Sequence, residues 1–480
     1  NTIGINNIAL GYNALYANTT GACNTAMGYQ ALKCNTTGIQ NVAVGSSALT
    51  TNTIGIENVA VGYYALRCNT TGINNTALGQ ETLTYNTTGK DNTAVGRRAL
   101  QTNTTGINNV AVGVNTLTAN ISGGCNIAIG RSALTTNTIG SQNIAVGYIA
   151  LTANTTGTHN TVIGSYGGIS NTIGACNTAL GASTLRANTT GVNNTALGAY
   201  SFCSNTIGSW NTAVGKDALR ANTTGSYNVA VGGYALYGNT IGICNTALGY
   251  ASLLNNTTGT CNTALGAKAL HDNTIGHSNS AVGYEALLSN TTGQRNTAVG
   301  YDSLKYNTTG QRNTGIGWNT LHCNTSGNYN TALGSNALWS NTTAPANVAL
   351  GYNALWANTL GQDNIAIGYD ALVTNTTGSY NIGIGYQALW ANTVGVDNVA
   401  VGWRSLKSNT TGTKNIAIGY CSLGANTIGT YNVAMGYRAL CLNTTGNQNV
   451  AIGSHALERN TIGECNTAIG IGVLGYNTTG

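Results

Sequence analysis

The sequence predicts an all-β protein that folds as a parallel β-solenoid, and three observations lead to this fold class. First, a 17-residue pattern, N-T-[TI]-G-x-x-N-[TVI]-A-[VLI]-G-Y-x-A-L-x-x, repeats 28 times from the first residue without insertion or deletion. Second, Thr, Val or Ile fills position 8 in 27 of the 28 repeats, while Gly returns at positions 4 and 11. Third, every charged residue falls at six of the 17 positions. A stack of about 28 coils, one repeat in each coil, explains all three.

The uninterrupted spacing indicates stacked rungs, because one added residue would shift every later side chain out of line with the rung below. Each repeat is too short for a pair of helices, and β-branched residues between glycine corners favour strands. We predict strands at about positions 7 to 10 and at about positions 14 to 17, the second continuing to position 3 of the next repeat. Residues 1–480 then form one continuous solenoid, with 28 full repeats, the NTTG of another, and no capping or globular domain.

Asparagine at positions 1 and 7 and glycine at position 11 occur in all 28 repeats. Identical amides stacked one rung apart can form hydrogen bonds along the axis as a ladder, and glycine and asparagine suit corner conformations. The residues that represent this predicted structural ladder are Asn1, Asn7, Gly11, Asn222, Asn228 and Gly232.

A second interpretation of the asparagine at position 1 is N-glycosylation. A Thr or Ser at position 3 of the same repeat turns that asparagine into an Asn-x-Ser/Thr acceptor. The candidate glycan acceptors are Asn18, Asn120, Asn188, Asn222, Asn290 and Asn375. Both roles stay open from the sequence alone.

The distribution of charge separates the inside of the coil from the outside. All 30 charged residues (18 Lys and Arg, 12 Asp and Glu) lie at positions 5, 6, 12, 13, 16 and 17, which we assign to the exterior. The same positions carry most aromatic residues, which we expect either to cover a corner or to form a carbohydrate-binding platform that includes Trp339, Trp356 and Trp390.

The strand at positions 7 to 10 does not alternate between apolar and polar residues. We expect the large aliphatic residue at position 10 to face the interior together with Leu at position 15, which would turn Ala at position 9 outward. Ala fills position 9 in 25 of the 28 repeats, whereas a water-facing position would vary. A strand that is apolar on both faces is usually covered on both, so we expect this alanine face to pack against another copy of the chain or another layer of the same chain.

Two segments carry a resemblance to a known family. NTAVGKDAL, from Asn211 to Leu219, and NTAVGYDSL, from Asn296 to Leu304, resemble the head repeats of YadA-like trimeric autotransporter adhesins. The same style of repeat is similar to repeats in fibre proteins of phages and large viruses. The resemblance implies a left-handed parallel β-roll and commonly a trimer. The repeat here is longer than the adhesin repeat, and no coiled-coil stalk, membrane anchor or terminal chaperone domain is recognisable in it.

The cysteines and histidines do not form a recognisable reactive motif. All 12 cysteines lie at positions 6, 13, 16 and 17, and Cys244 and Cys261 share position 6 in adjacent repeats, which makes them the predicted disulfide pair. No CxxC motif or Cys–His cluster indicates a zinc site, and the five histidines are scattered. We expect no enzymatic activity, no metal and no cofactor.

The composition also limits the classes of binding partner that we expect. No run of Lys or Arg indicates nucleic acid or an anionic membrane, and no apolar stretch is long enough for membrane insertion. We expect a homo-oligomer or filament, which acts as a structural component of an extracellular fibre at a cell or virion surface. The alternatives are an adhesin-like fibre shaft that binds glycans or a surface receptor and, more remotely, an ice-binding protein.

Overall fold

The computed structural model of the protein describes residues 3–479, so Asn1 of the predicted ladder lies outside the described residues. The chain forms two compact units, Asn1–Ile241 and Gly242–Gly480. Each unit is a parallel β-solenoid in which one three-residue strand recurs every 17 residues, and no helix occurs within residues 3–479. The fold class predicted from the repeat is therefore confirmed.

Each unit is one stack of strands. The strands of the first unit are β1 (Ile8–Leu10), β2 (Thr25–Met27), β3 (Val42–Val44), β4 (Val59–Val61), β5 (Thr76–Leu78), β6 (Thr93–Val95), β7 (Val110–Val112), β8 (Ile127–Ile129), β9 (Ile144–Val146), β10 (Thr161–Ile163), β11 (Thr178–Leu180), β12 (Thr195–Leu197), β13 (Thr212–Val214) and β14 (Val229–Val231). The strands of the second unit are β15 (Thr246–Leu248), β16 (Thr263–Leu265), β17 (Ser280–Val282), β18 (Thr297–Val299), β19 (Thr314–Ile316), β20 (Thr331–Leu333), β21 (Val348–Leu350), β22 (Ile365–Ile367), β23 (Ile382–Ile384), β24 (Val399–Val401), β25 (Ile416–Ile418), β26 (Val433–Met435), β27 (Val450–Ile452) and β28 (Thr467–Ile469).

Within each unit, every strand pairs in parallel with the next strand of the chain. The register places equivalent residues of consecutive repeats side by side, as Ala26 beside Ala43 in the first unit and Ala264 beside Ala281 in the second. Like residues therefore stack on like residues, as the constant repeat length requires.

The orientation predicted for the strand is wrong. Ala264, at position 9, is fully buried, whereas Thr263 and Leu265 on either side of it are exposed. The reason is the width of the coil: a Cβ added to Gly383, at the same position, would lie 3.3 Å from Leu372 of the preceding coil. Leu at position 15 fills the interior, so position 9 has room for a methyl group and the large aliphatic residue at position 10 is turned outward.

One irregular coil shows how tightly the interior is packed. Val162 replaces the usual alanine at position 9, and its partner at position 14 is Gly167 instead of alanine. A Cβ on Gly167 would lie only 2.7 Å from Val162 Cγ1, so the larger side chain occupies the space that the smaller one vacates. The interior therefore keeps its volume when its residues change.

The second predicted strand does not form, because positions 12 to 17 are turns. Residues at positions 13 and 15 have left-handed backbone conformations, as at Asn319 (φ 55°) and Leu321 (φ 49°). Such a conformation is uncommon for leucine, yet Leu321 is fully buried. Bending the backbone at these two positions carries the chain around the leucine and into the next coil, and an extended strand would not close the turn.

Glycine at position 11 is required by both conformation and space. Gly11 (φ 130°) and Gly232 (φ 133°) lie in a region that L side chains rarely adopt. At Gly130 (φ 121°), an added Cβ would lie 2.5 Å from the carbonyl oxygen of Gly147 in the next coil. Any side chain here would force adjacent coils apart.

We predict that Gly130→Ala destabilises its unit by about 2 kcal/mol or more, since it combines backbone strain with a clash against the next coil. The matched control is Gly124→Ala in the same repeat, at a position where other repeats carry Ile, Ala or Thr. Thermal unfolding followed by circular dichroism compares the two. Equal midpoints for both variants would contradict the role given to position 11.

Candidate functional site

The first asparagine column, at position 1, forms a hydrogen-bonded ladder inside the coil. Asn290 is fully buried, and its Nδ2 donates to Asn273 Oδ1 of the preceding coil at 2.8 Å and to the Gly293 carbonyl oxygen at 3.0 Å. Its Oδ1 accepts a hydrogen bond from Asn307 Nδ2 at 2.8 Å. Asn222 makes the same contacts in the first unit, with Asn205 and Gly225. Both amide hydrogens and the amide oxygen are used, as burial requires.

The second column, at position 7, is tied to the first through the corner glycine. Asn279 donates its backbone N–H and its Nδ2 to Asn262 Oδ1, at 3.0 and 3.2 Å, and its Nδ2 also donates to the Gly293 carbonyl oxygen at 2.9 Å. That carbonyl therefore accepts one hydrogen bond from each column. Asn228 stacks on its predecessor in the same way in the first unit, and Asn7 donates to Gly21. The predicted asparagine ladders are present and buried.

The ladder geometry argues against glycans on the folded chain. All six candidate acceptors belong to the first column and are at most 2% exposed. At Asn120, for example, Nδ2 already donates to Asn103 Oδ1 and to the Gly123 carbonyl oxygen. A sugar on this nitrogen would remove one of these bonds and would have to occupy filled interior space.

We predict that Asn109→Ala loosens its coil far more than Asn108→Ala does. Asn109 is buried and joins Asn92 to Asn126 through its amide, whereas its neighbour Asn108 is exposed. Truncation of Asn109 leaves the Asn126 backbone N–H without an acceptor, at a cost of about 2–4 kcal/mol for the groups orphaned. Hydrogen–deuterium exchange at the Asn126 amide measures the effect locally. Equal protection in both variants would contradict it.

The outward face of the strands is an exposed uncharged surface, which we call the strand face and define as positions 8 and 10 of each repeat. Position 10 is aliphatic or Met in every repeat, while position 8 is Thr or Ser in half of them. In the second unit, Leu248, Leu265, Leu333 and Leu350 are 41–45% exposed. Position 8 holds only Thr, Val, Ile or Ser and position 10 only Val, Leu, Ile or Met, so no charged residue interrupts the strand face in any repeat. Exposed apolar surface of this continuity is typical of an interaction site.

A column of stacked aromatic rings follows position 12 of the second unit. Its ring centroids are 4.6–6.0 Å apart and its interplanar angles are 5–19°. The members are Tyr352, Tyr369, Tyr386, Trp403, Tyr420 and Tyr437. Because each ring covers the face of the next, the column presents ring edges to solvent. A sugar ring that stacks on an aromatic residue needs an open face, so this column is a corner cover.

The three tryptophans proposed as a carbohydrate platform are also partly covered. Trp339 lies between His322 and Trp356, with ring centroids 5.6 Å from each. Trp390 has Lys407 Nζ 5.7 Å from its ring centroid. The structure therefore does not bring the three together as one open surface.

Positions 13 and 16 of the second unit carry a network of charges that sequence reasoning missed. Lys305 Nζ lies 2.8 Å from Glu285 Oε2 and 3.0 Å from Asp302 Oδ2, and Lys268 Nζ lies 3.3 Å from Glu285 Oε1. Burial raises the pKa of Glu285, but hydrogen bonds from Lys305, Tyr284 and Lys268 outweigh it and lower that pKa to about 2. The sequence did contain a signal for this network, namely opposite charges spaced 3 and 20 residues apart, as at Asp302, Lys305 and Glu285.

We predict that Glu285 contributes to stability in a defined acid window. Its folded-state pKa is depressed, so the contribution is complete above the pKa of a glutamate in an unfolded chain, about 4.3, and is lost as the pH falls through about 2. Across this window the unfolded chain binds about one proton more than the folded chain because of this residue.

Glu285→Gln should remove the part of the acid-induced loss of stability that Glu285 causes. Glu57→Gln, at an exposed glutamate, should retain that loss. Unfolding midpoints of the two variants and the parent chain between pH 4.5 and 2 test the difference. Parallel curves for Glu285→Gln and the parent chain would contradict it.

One Cys–His–Asp arrangement lies beside this network. Cys323 Sγ is 3.6 Å from His322 Nδ1, and His322 Nε2 is 3.9 Å from Asp302 Oδ2, which is too long for a hydrogen bond. Burial raises the pKa of the Cys323 thiol and lowers the pKa of His322. Both groups are therefore neutral near pH 7, and the arrangement does not activate the cysteine as a nucleophile.

All 12 cysteines are free thiols, including the predicted disulfide pair, Cys244 and Cys261, which are exposed. The register explains why this bridge is not formed. Residues at one position of adjacent repeats are related by a translation of about 4.8 Å, so their Cβ atoms are about that far apart, whereas a disulfide needs about 3.5–4.5 Å.

The part of the chain that the structure describes contains no helix with the length and hydrophobicity of a membrane span. Among the same residues, His, Cys, Asp and Glu side chains do not gather into a group of three that could hold a metal ion.

Comparison with protein-family models and with curated protein sequences finds no match for this chain. The resemblance to adhesin and fibre repeats therefore stays a prediction that depends on the repeat motif.

Proposed function

We propose that this chain is a structural component of an extracellular fibre, in which copies associate side by side through the strand face. The observation that carries the proposal is an outward-facing strand whose position 10 is Val, Leu, Ile or Met in all 28 repeats, whereas positions such as 5 and 12 carry charged, polar and apolar residues. A position that meets only water has no reason to keep Leu or Val in place of Lys or Glu. A β-solenoid repeat protein with buried asparagine ladders fits such a role.

The size of the strand face supports a stable contact. The 14 strands of the first unit, about 4.8 Å apart, give a stripe about 65 Å long. Two rows of side chains make it about 10 Å wide, so its area is about 650 Å² in one unit. Two such faces together would bury about 1,300 Å², which is within the range of specific protein interfaces. The aliphatic residues at position 10 of the strand face are of the kind that forms the core of obligate protein interfaces.

The extracellular location and the adhesin-like shaft depend on the resemblance to adhesin and fibre repeats. Binding of glycans by the aromatic columns has less support than self-association, because the rings cover one another and the strand face does not depend on a sugar ligand. We therefore place self-association first.

We predict that Leu333→Lys/Leu350→Lys prevents lateral assembly, because it puts two charges into the strand face of adjacent coils. The matched control is Gln294→Lys/Gln311→Lys, which puts two charges into adjacent coils at position 5, where other repeats carry Lys90 or Glu464. Sedimentation velocity and negative-stain electron microscopy measure assembly, and circular dichroism confirms the fold of each variant. The parent chain and the control should form oligomers or fibres.

Two outcomes would contradict the proposal. One is a parent chain that stays monomeric at every concentration tested. The other is a strand-face variant that assembles as well as the position 5 control.

A further inference from the structure

Side chains at positions 13 and 16 meet across adjacent coils. Lys305, at position 16, lies between Asp302 at position 13 of its own coil and Glu285 at position 13 of the preceding coil. Short side chains make the same approach: Thr152 Oγ1 donates to the Ser132 carbonyl oxygen at 3.1 Å, across a spacing of 20 residues. A γ atom at position 16 therefore reaches the backbone carbonyl oxygen at position 13 of the coil before it.

Two cysteines occupy this pair of positions in the second unit. Cys421 lies at position 13 and Cys441 at position 16 of the next coil, 20 residues later. Both are free and half-buried. They line one cavity of about 230 Å³ together with Arg404, Lys407 and Gly424. Gly424 stands at position 16 of the same coil as Cys421, and its missing side chain leaves the cavity open to solvent beside the two thiols.

We propose that Cys421 and Cys441 are a redox modification site, which closes to an inter-coil disulfide when the chain meets a small neutral peroxide such as hydrogen peroxide. One thiolate attacks a peroxide oxygen, the O–O bond breaks, and a sulfenic acid and one water form. The second thiolate then attacks that sulfur, forms the Sγ–Sγ bond and releases a second water. The two thiols lose two electrons and two protons, and the peroxide takes up both.

Burial raises the pKa of both thiols, and nearby cations oppose this rise. The cations are Arg404, Arg438 and Lys407 beside Cys421, and Arg438 beside Cys441. Cys421 and Glu458 raise the pKa of Cys441 further. Either thiol can therefore be the one that attacks the peroxide.

Geometry separates this pair from cysteines that share one position. Cys244 and Cys261 are related by the translation of one coil, which fixes their Cβ atoms at about 4.8 Å. Cys421 and Cys441 belong to different columns, so no translation holds them apart, and both line the same cavity at the place where position 16 approaches position 13. A disulfide between Cys421 and Cys441 therefore needs less movement of the backbone than one between Cys244 and Cys261.

Tryptic mass spectrometry tests the proposal directly on the full chain. Cleavage after Lys414, Arg438 and Arg459 places Cys421 in residues 415–438 and Cys441 in residues 439–459, with one cysteine in each peptide. After peroxide treatment, alkylation and digestion without reductant, we expect the two peptides to be joined, with a combined mass about 2 Da below the sum of the free peptides. Dithiothreitol should separate them.

The controls make the outcome decisive. Cys421→Ser and Cys441→Ser should each abolish the linked peptide, and Cys244→Ser should retain it. Peroxide treatment in concentrated urea should remove the preference for this pair. A folded chain that is oxidised at both sulfurs without the link, that links Cys244 to Cys261 first, or that gives equal linkage in urea would overturn the proposal.

Discussion

The carbonyl oxygen of the glycine at position 4 accepts a hydrogen bond from each of two asparagine columns, and the rest of the fold depends on this junction. At Gly293 the donors are Asn290 of the same coil and Asn279 of the coil before it, at 3.0 and 2.9 Å. Amides in the interior are tolerated only when all of their polar atoms have partners. Since the bonds from Asn290 to Asn273 and from Asn279 to Gly293 cross between adjacent coils at a fixed register, a change in the length of one repeat would leave buried amides unsatisfied. The constant 17-residue spacing is thus a requirement of the polar interior.

The polar interior also determines which side chains of the strand face outward. Two asparagines, an alanine at position 14 and a leucine at position 15 already fill the coil, so the strand can turn only a small residue inward. The exchange of volume between Val162 and Gly167 shows that no spare room exists. The large aliphatic residue at position 10 and the Thr, Val, Ile or Ser at position 8 must then face outward, and their uncharged surface is the feature from which we infer lateral assembly. The narrow core and the uncharged strand face therefore both follow from the space that the asparagines, the alanine and the leucine occupy inside the coil.

The sequence was sufficient to predict the solenoid, the one-repeat coil, the buried asparagine ladders and the glycine corners, because each depends on residues that recur at one position. It did not predict the orientation of the strand, since Ala and Val are both apolar and their pattern does not say which is inside. It also missed the turn at positions 12 to 17, because left-handed leucines such as Leu321 are disfavoured by propensity and are imposed by packing. The cross-coil network around Lys305 required knowing that positions 13 and 16 are neighbours.

The same stacking that makes the fold regular limits the chemistry that side chains can perform. The invariant columns hold copies of one residue, one coil apart, so they supply ladders but do not bring unlike groups together. Unlike groups meet in the variable exterior columns, as Lys268 and Glu285 do at position 13, and where the columns at positions 13 and 16 interleave. There the chain places its lysine–glutamate bridges, the His455–Glu458 contact at 2.6 Å and the two thiols of Cys421 and Cys441. Any residue-specific chemistry of this repeat protein is therefore expected along that seam, while the strand face, which is uniform from coil to coil, suits repetitive contact with another copy.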